Sequence, residues 1–438
     1  MASTGSNSSA PAAESVGDAH LALPVERGPG AAAPELVIGI GAYNNAATIG
    51  AIGGAVRESL RGSLAGLSSR VVLAEGGSND GTPDLMREAL GPDARLTQVS
   101  YPVHPMDLLQ EVYHGLPGRA HARAAIFRTA HELGAAACVI LDATASNLAP
   151  EWIARLAQPV LENSFDLVVP YYLRPPHEGA LTRSILYPLF RSLYGVRIRQ
   201  PLAADFACSS RLVDSFLALD HWPDEAGGAV DLWTTTTAVA GGYRVCEAAL
   251  GTRRHEARDN TPDLSTVIVQ VVGPAFGDLQ QRAELWQRVR GSASVPVFGE
   301  APSDGPGEPI DVARLVESFR LGYRELRDVW AAVLPPSAII ALKRLVASPD
   351  SSMQMDDELW ARIVFDFAVG YRLRVLRSDH LLQSLAPLYL GWVASFLQQV
   401  RDATPQAVDE RVDRLGAAFE RQKPYLISRW RWPERFSS

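Results

Sequence analysis

The chain has 438 residues, of which 47% are hydrophobic and 21% are charged, so it is long enough for about two or three domains with a sizeable core. Its net charge of −8 and its pI near 5.7 argue against binding to nucleic acid through an excess of positive charge. We expect neither a signal peptide nor a membrane span, because no apolar run approaches the roughly 18–20 residues that a span needs. The three cysteines form no CxxC pattern and are typical of reduced thiols, which predicts a cytoplasmic protein.

The first part of the chain alternates apolar runs with amphipathic segments. Residues 1–33 are rich in Ala, Gly, Ser and Pro and are predicted to be a disordered tail. In residues 34–298 the runs predicted as strands are ELVIGIGAY, RVVLAE, LTQVSYP, ACVILDATASN, FDLVVPYYLRP and Tyr243–Leu250. Helices are predicted between them, and PEWIARLAQPVLE places Pro150 well for a first turn. This alternation predicts an open α/β domain with a mostly parallel sheet.

The last part of the chain differs from the first in composition and in the spacing of its apolar residues. The stretch SVPVFGEAPSDGPGEPI is rich in Pro and Gly, and residues 299–308 within it are predicted to be a linker. From residue 309 to residue 438, apolar positions recur every three or four residues, as in helices that pack against one another. We therefore predict an all-helical C-terminal domain, which is also the candidate surface for a homodimer.

Polar residues stand where the predicted strands end or in the loops beside them. Each of them alone is better explained as a turn or cap residue. Together they predict a ligand crevice at one edge of the sheet, because the carboxyl ends of parallel strands share an edge. These positions are Ala42, Tyr43, Asn44, the turn from Glu75 to Thr82, Arg119, Asp142, Arg174 and His255.

Six segments, in their order along the chain, resemble the motifs of one enzyme family. They are GAYNNAATI, LAEGGSNDGTPD, PGRAHA, VILDATASNLAPEWI, RQPLAADFACS and the long, most specific AVDLWTTTTAVAGGYRVCEAALGTRRHEARD. The chain resembles the GT-A fold retaining glycosyltransferases of the glucosylglycerate, glucosyl-3-phosphoglycerate and mannosylglycerate synthase group. The resemblance implies a Rossmann-like α/β domain with a helical extension. It also implies a hexose donor such as a UDP- or GDP-sugar, with glycerate or a similar small carboxylate as acceptor.

The resemblance assigns roles to particular positions. It implies that Arg174 and Thr182 hold the acceptor carboxylate, which suits the planar fork of arginine, and that Asp231 orients the acceptor hydroxyl. It implies that Mg²⁺ or Mn²⁺ is held by Asp142 and His255 and neutralises the diphosphate. The positions implied for nucleotide binding are Ala42, Tyr43, Asn45, Glu75, Arg119 and Asp142.

The chain also departs from the family pattern. Thr144 stands where a second acid is expected, and Ala203 and Ala204 stand where glycines are expected. Loss of a carboxylate weakens a Mg²⁺ site, which favours the alternative of a catalytically impaired protein with a binding or regulatory role. A further alternative is a lipid or polymer acceptor, hinted at by the C-terminal RWRWPERF. For a phosphorylated acceptor, the candidate cations are Arg183 and one of Arg253 and Arg254.

Overall fold

The computed structural model describes residues 33–92, 95–104, 107, 116–202, 204–220, 222–223, 229–254, 263–300 and 310–433. Its strands are β1 (Leu36–Ala42), β2 (Ser69–Glu75), β3 (Leu96–Ser100), β4 (Ala137–Asp142), β5 (Leu167–Tyr172), β6 (Val196–Arg197), β7 (Phe206–Ser209), β8 (Val245–Gly251), β9 (Ala293–Ser294) and β10 (Val297–Phe298). Eight of them form one sheet in the order β10-β8-β5-β7-β4-β1-β2-β3, and β6 pairs with β9. All pairings are parallel except those of β7 with β4 and β5, so the predicted mostly parallel sheet is confirmed.

Helices cover the sheet and make up the C-terminal region. Those within the sheet region are α1 (Ala46–Arg61), α2 (Thr82–Leu90), α3 (Arg119–Leu133), α4 (Pro150–Asn163), α5 (Tyr187–Tyr194), α6 (Ser210–Leu217), α7 (Ala229–Ala240), α8 (Leu264–Gln281) and α9 (Ala283–Trp286), and a π-helical turn spans Thr182–Leu186. Those of the C-terminal region are α10 (Val312–Ala331), α11 (Pro336–Ala347), α12 (Asp357–Leu373), α13 (Ser378–Ser384), α14 (Ala386–Gln399) and α15 (Pro405–Arg431), with a 3₁₀ turn at Asp350–Ser352. The predicted helical C-terminal region is confirmed.

The core lies on both faces of the sheet. Strand β1 is buried along its whole length, as its continuous apolar run predicts for a strand between two layers of helices. Helices α1, α2 and α4 pack on one face. Helices α3, α5 and α8 pack on the other, and there the core continues without interruption into the C-terminal helices. The helical region therefore extends the sheet's own core.

Polar contacts fasten the helical region to the sheet region. The indole of Trp360 in α12 donates a hydrogen bond to the carbonyl of Ser184 at 2.8 Å. Arg191 in α5 pairs with Asp413 at 2.6 Å and with Glu420 at 3.1 Å, and both of these acids lie on α15. Helix α15 is thereby held against the part of the chain that precedes β6.

The shortest strands are the elements that sequence patterns did not predict. Strands β9 and β10 fall within the stretch read as Pro/Gly-rich, and β10 adds an edge to the main sheet by pairing with β8. Strands of two residues carry too little alternation to be recognised. Residues 1–32 and 301–309, which include most of the predicted tail and linker, lie outside the described residues.

Two further observations bear on the sequence-based expectations. Cys138, Cys208 and Cys246 are buried and unbonded to one another, as expected for reduced thiols. Within the described ranges, no helix combines the length and the apolar character that crossing a membrane requires.

Candidate active site

Three of the predicted positions meet because their strands are parallel and in register. Ala42 at the end of β1 lies opposite Glu75 at the end of β2, and Gly41 lies opposite Asp142 at the end of β4. The strand order β4-β1-β2 therefore brings Ala42, Glu75 and Asp142 to one edge of the sheet, which is the edge where open α/β sheets bind ligands.

The loop after β1 is held in place by the loop after β2. The backbone amide of Asn45 donates to Thr82 Oγ1 at 2.8 Å, and the amide of Tyr43 donates to Asn45 Oδ1 at 2.9 Å. Asp80 accepts hydrogen bonds from Thr82 and from the amide of Ala46; although partial burial opposes the charge, these bonds lower the pKa of Asp80. Asn45 is buried, and its Nδ2 has no hydrogen-bond partner in the described structure. The loop thus offers an unused donor at this edge.

Glu75 organises its own turn. Its carboxylate accepts hydrogen bonds from the backbone amides of Gly77 at 2.8 Å and of Ser78 at 2.7 Å. The side chain is buried. Both of its oxygens are therefore engaged in shaping the loop that follows β2.

Asp142 lies within a buried cluster of acids and arginines. Its Oδ2 is 2.8 Å from Arg253 Nη2 and 3.7 Å from Arg119 Nη2. Its Oδ1 accepts hydrogen bonds from the amide and from the hydroxyl of Thr144, each at 2.9 Å. Arg253 also pairs with Asp205, which in turn accepts a hydrogen bond from the amide of Asp142 at 2.8 Å. We call Arg119, Arg123, Asp142, Asp205, Asp231 and Arg253 the arginine–aspartate cluster.

Asp231 completes the arginine–aspartate cluster from helix α7. One of its oxygens is 3.1 Å from Arg119 Nη1, and the other is 2.6 Å from Arg123 Nη2. Arg123 also donates to the carbonyl of Val230 at 3.0 Å and to Thr234 Oγ1 at 2.7 Å. Asp231 therefore links α7 to α3, and both of its oxygens are used in fixing the two arginines.

The electrostatics of the cluster favour charged arginines. Burial opposes the charge on Arg253, but Asp205, Tyr172 and Asp142 outweigh it and raise the pKa of Arg253 above its usual value. The pKa of Arg119 is likewise raised, because Asp231 and Asp142 outweigh its burial. Arg119 and Arg253 therefore stay charged at physiological pH, inside a cluster whose three aspartates balance its three arginines.

The surroundings of Asp142 do not suit a divalent cation. Mg²⁺ and Mn²⁺ need several oxygen or imidazole ligands, whereas the Asp142 carboxylate faces Arg253, Arg119 and the hydroxyl of Thr144. In the described part of the chain, no group of three or more His, Cys, Asp or Glu side chains is placed to hold a metal. His255 lies outside the described residues, as does Ala203, so its metal role stays a prediction.

Arg174 and Thr182, eight residues apart along the chain, line one cavity of about 530 Å³. Its walls come from the loop after β5, the π-helical turn, β8, the β9–β10 segment and the start of helix α15. This volume is within the range of about 300–1,000 Å³ that is usual for small-molecule pockets. The structure thus brings together the two residues predicted to bind a carboxylate.

Arg183 shapes the wall of this cavity. Its guanidinium donates to the carbonyls of Arg174 at 2.9 Å, Pro175 at 2.8 Å and Glu178 at 2.9 Å. Together with a hydrogen bond to the carbonyl of Pro176 at 3.1 Å, these contacts fold the loop around the Arg183 guanidinium and fix the backbone of Arg174. The predicted phosphate-binding role of Arg183 therefore gains no support from its contacts.

Tyr172 connects the cavity with the arginine–aspartate cluster. Its ring lies 5.7 Å from the guanidinium carbon of Arg174 and 5.4 Å from that of Arg253. Its hydroxyl donates to Asp205, and its pKa is raised well above the usual value by burial and by that acid. A ligand bound at Arg174 is therefore one aromatic ring away from the cluster.

Sequence reasoning missed two members of this site, Arg123 and Tyr172. Arg119 and Arg123 are four residues apart and share one face of α3, so the spacing was a usable signal. Tyr172 gave no signal, because alternate residues of a strand point to opposite faces and the sequence does not say which face meets a ligand.

Comparisons with known proteins returned structural similarity alone. Neither protein-family models nor curated protein sequences gave a match. Glucosyl-3-phosphoglycerate synthase from Mycobacterium tuberculosis, solved with Mn²⁺, UDP and phosphoglyceric acid, is 22% identical over 57% of this chain and 78% of that chain, with a TM-score of 0.41. The same enzyme with Mg²⁺ and UDP is 19% identical over 57% and 79%, with a TM-score of 0.41. With phosphoglyceric acid it is 21% identical over 57% and 80%, with a TM-score of 0.42.

Proposed function

We propose that this protein is a hexosyltransferase that moves glucose or mannose from a nucleotide diphosphate sugar to glycerate or a similar small hydroxy acid, with retention of configuration. One observation carries the proposal: the buried guanidinium of Arg253, which follows β8, and that of Arg174 both lie near the Tyr172 ring, and Arg174 lines a ligand-sized cavity together with Thr182. A fixed positive charge suits a leaving diphosphate, and an arginine beside a hydroxyl suits a carboxylate.

In the proposed reaction, the bond between the anomeric carbon and the diphosphate oxygen breaks. The acceptor hydroxyl oxygen bonds to the same face of that carbon, and its proton passes to the departing phosphate oxygen. Arg119 and Arg253 stabilise the charge that develops on the diphosphate, which is the electrostatic contribution that fixed donors make best in a buried site. Asp231 holds Arg119 in position through its 3.1 Å contact.

The acceptor side of the proposal uses the cavity. Arg174 and Thr182 bind the carboxylate, and the tyrosine ring between Arg174 and the cluster sets the distance from the acceptor to the donor. Holding both reactants at fixed positions supplies much of the rate enhancement in transfer reactions. The cavity volume of about 530 Å³ also leaves room for an acceptor larger than glycerate.

The test is calorimetric titration of the full chain with UDP-glucose, GDP-mannose, UDP and GDP, each in EDTA and in Mn²⁺. Each donor that binds is then incubated with the protein and glycerate, and mass spectrometry is used to detect the glycoside. We expect one nucleotide to bind and one glycoside to form. If no nucleotide binds under either condition, the protein is not a nucleotide-sugar transferase.

A second candidate function is a binding or regulatory protein that has lost transfer activity. It is favoured by Thr144, which stands where the family pattern has a second acid. The hydroxyl of Thr144 donates a hydrogen bond to Asp142. The same titration separates the two functions, because this candidate binds nucleotide and forms no product with any acceptor.

A further inference from the structure

We propose that Arg253, supported by Arg119, takes the place of the divalent cation, so that the protein binds the diphosphate of its donor without a metal. This inference rests on the proposed function, because it assigns a role within the same donor site. It begins from the disagreement between the metal that the family pattern implies and the residues that surround Asp142.

Arg253 lies between two buried acids. Its two terminal nitrogens face two acids, with Nη2 at 2.8 Å from Asp142 and Nη1 on Asp205. Those carboxylates are 2% and 0% exposed, and the side chain of Arg253 is 2% exposed. A guanidinium thus occupies the place beside the Asp142 carboxylate where a metal ion would bind.

The arginine–aspartate cluster is balanced in charge. Its three aspartates and three arginines are all buried. Because they are equal in number, their formal charges cancel. A divalent cation placed on Asp142 would add two uncompensated charges next to Arg253 and Arg119. Because like charges repel strongly where water is excluded, the cluster resists a metal in this position.

Hydrogen bonds to Asn147 fix the segment that carries Arg253. The side-chain Nδ2 of Asn147 donates to the carbonyl of Thr252 at 2.7 Å, and the backbone amide of Arg254 donates to Asn147 Oδ1 at 2.8 Å. The loop after β8 is thereby tied to the loop after β4. A charge that needs no reorganisation is what a site for a leaving diphosphate requires.

Two buried donors at this edge of the sheet are unused. Nε of Arg253 is buried and has no hydrogen-bond partner in the described structure, and the same is true of Nδ2 of Asn45. A buried N–H group without a partner is unfavourable, and phosphate oxygens are strong acceptors for it. Both donors belong to loops that follow strands of the parallel sheet.

The experiment measures binding of UDP and GDP by calorimetry in EDTA and in Mn²⁺. We expect the dissociation constant of the bound nucleotide to change by less than about threefold between the two conditions, which is a small free-energy difference. Arg253→Gln should weaken binding by at least about tenfold in both, because a charge-assisted hydrogen bond is lost. Arg87→Gln is the matched control, since Arg87 is exposed and pairs with the exposed Asp84, and it should change binding by less than about threefold.

A gain of metal dependence gives a result that misfolding cannot imitate. The double variant Thr144→Asp with Arg253→Gln adds a carboxylate beside Asp142 and removes the guanidinium, so we expect nucleotide binding that appears only with Mn²⁺. Mn²⁺ alone, followed by electron paramagnetic resonance, should bind this variant and leave the wild-type protein unbound. Binding of nucleotide to the wild type only in Mn²⁺ would overturn this inference and leave the proposed function intact. Absence of nucleotide binding in both conditions would overturn both.

Discussion

The arginine–aspartate cluster and the cavity beside it handle charge in opposite ways. In the cluster, every acid faces a guanidinium and all six side chains are buried. In the cavity, charged residues line an open space, and some belong to helix α15 at the far end of the chain. The cluster is built to keep its charges fixed, whereas the cavity keeps space for a ligand. Loss of an acid from the cluster should therefore lower stability, whereas loss of Arg174 from the cavity should weaken binding of the acceptor.

The largest expected effect is on stability, from Asp205→Asn in the cluster. Asp205 is fully buried and faces both Arg253 and Tyr172, so the substitution leaves a buried guanidinium with less compensation. We expect the free energy of unfolding to fall by about 3–5 kcal/mol, measured by urea denaturation. Asp84→Asn, which removes an exposed ion pair with Arg87, is the control and should change stability by less than about 1 kcal/mol. Equal effects of the two variants would contradict a fixed cluster.

The next largest effect is on the pH dependence of stability, and it comes from a buried acid of the helical region. Asp366 is fully buried, and burial raises its pKa from 3.8 to about 6, although Arg429, Tyr425 and Arg362 oppose the rise. Between these two pH values the folded state keeps a proton that the unfolded chain has released. The contribution of Asp366 to stability is therefore greatest below about pH 4 and falls as the pH rises through about 6.

Urea denaturation of the wild type and of Asp366→Asn at several pH values measures this effect. The amide does not titrate, so the stability of the wild type should fall relative to the variant by about 2–3 kcal/mol between about pH 4 and pH 7. A constant difference across this range would show that Arg429 and Tyr425 fully offset the burial of Asp366.

The third effect belongs to the cavity and concerns the acceptor. Arg174→Gln should raise the Michaelis constant for a carboxylate acceptor by about tenfold to a hundredfold, because a bidentate charged contact is lost. Arg174→Lys should fall between the wild type and the glutamine variant, since lysine keeps the charge and loses the fork. The dissociation constant of the nucleotide is the internal control and should stay unchanged. A fall in nucleotide affinity with no change for the acceptor would assign Arg174 to the donor.

The smallest effect tests how helix α15 closes the cavity. Tyr171 in β5 donates a hydrogen bond to Asp409 in α15, and Arg199 lies over the Tyr171 ring at 3.5 Å. Tyr171→Phe should lower the free energy of unfolding by about 1 kcal/mol. A double-mutant cycle with Asp409→Asn should give a coupling energy of at least about 0.5 kcal/mol. Independent effects of the two substitutions would mean that this contact does not hold the helix.

Part of the site was readable from the sequence, and part was not. Asp142 and Glu75 were found because each follows a buried apolar run, and the parallel sheet then brings them to one edge. The pairing of Arg253 with Asp142 was not readable, since 111 residues separate them and either residue equally suits a loop. An acid in a motif likewise carries no information about which cation faces it. The guanidinium of Arg253 beside Asp142 was therefore not predicted.

The sequence by itself determined the alternation of strands and helices, the helical C-terminal region and the sheet edge at which polar residues collect. These follow from the period of apolar residues, which each segment expresses locally. Only the tertiary structure decided that guanidinium groups surround Asp142, that Asp231 holds two arginines, and that Arg174 shares a cavity with helix α15. The physical reason is that charge pairing depends on distances between side chains from different elements, and packing alone sets those distances.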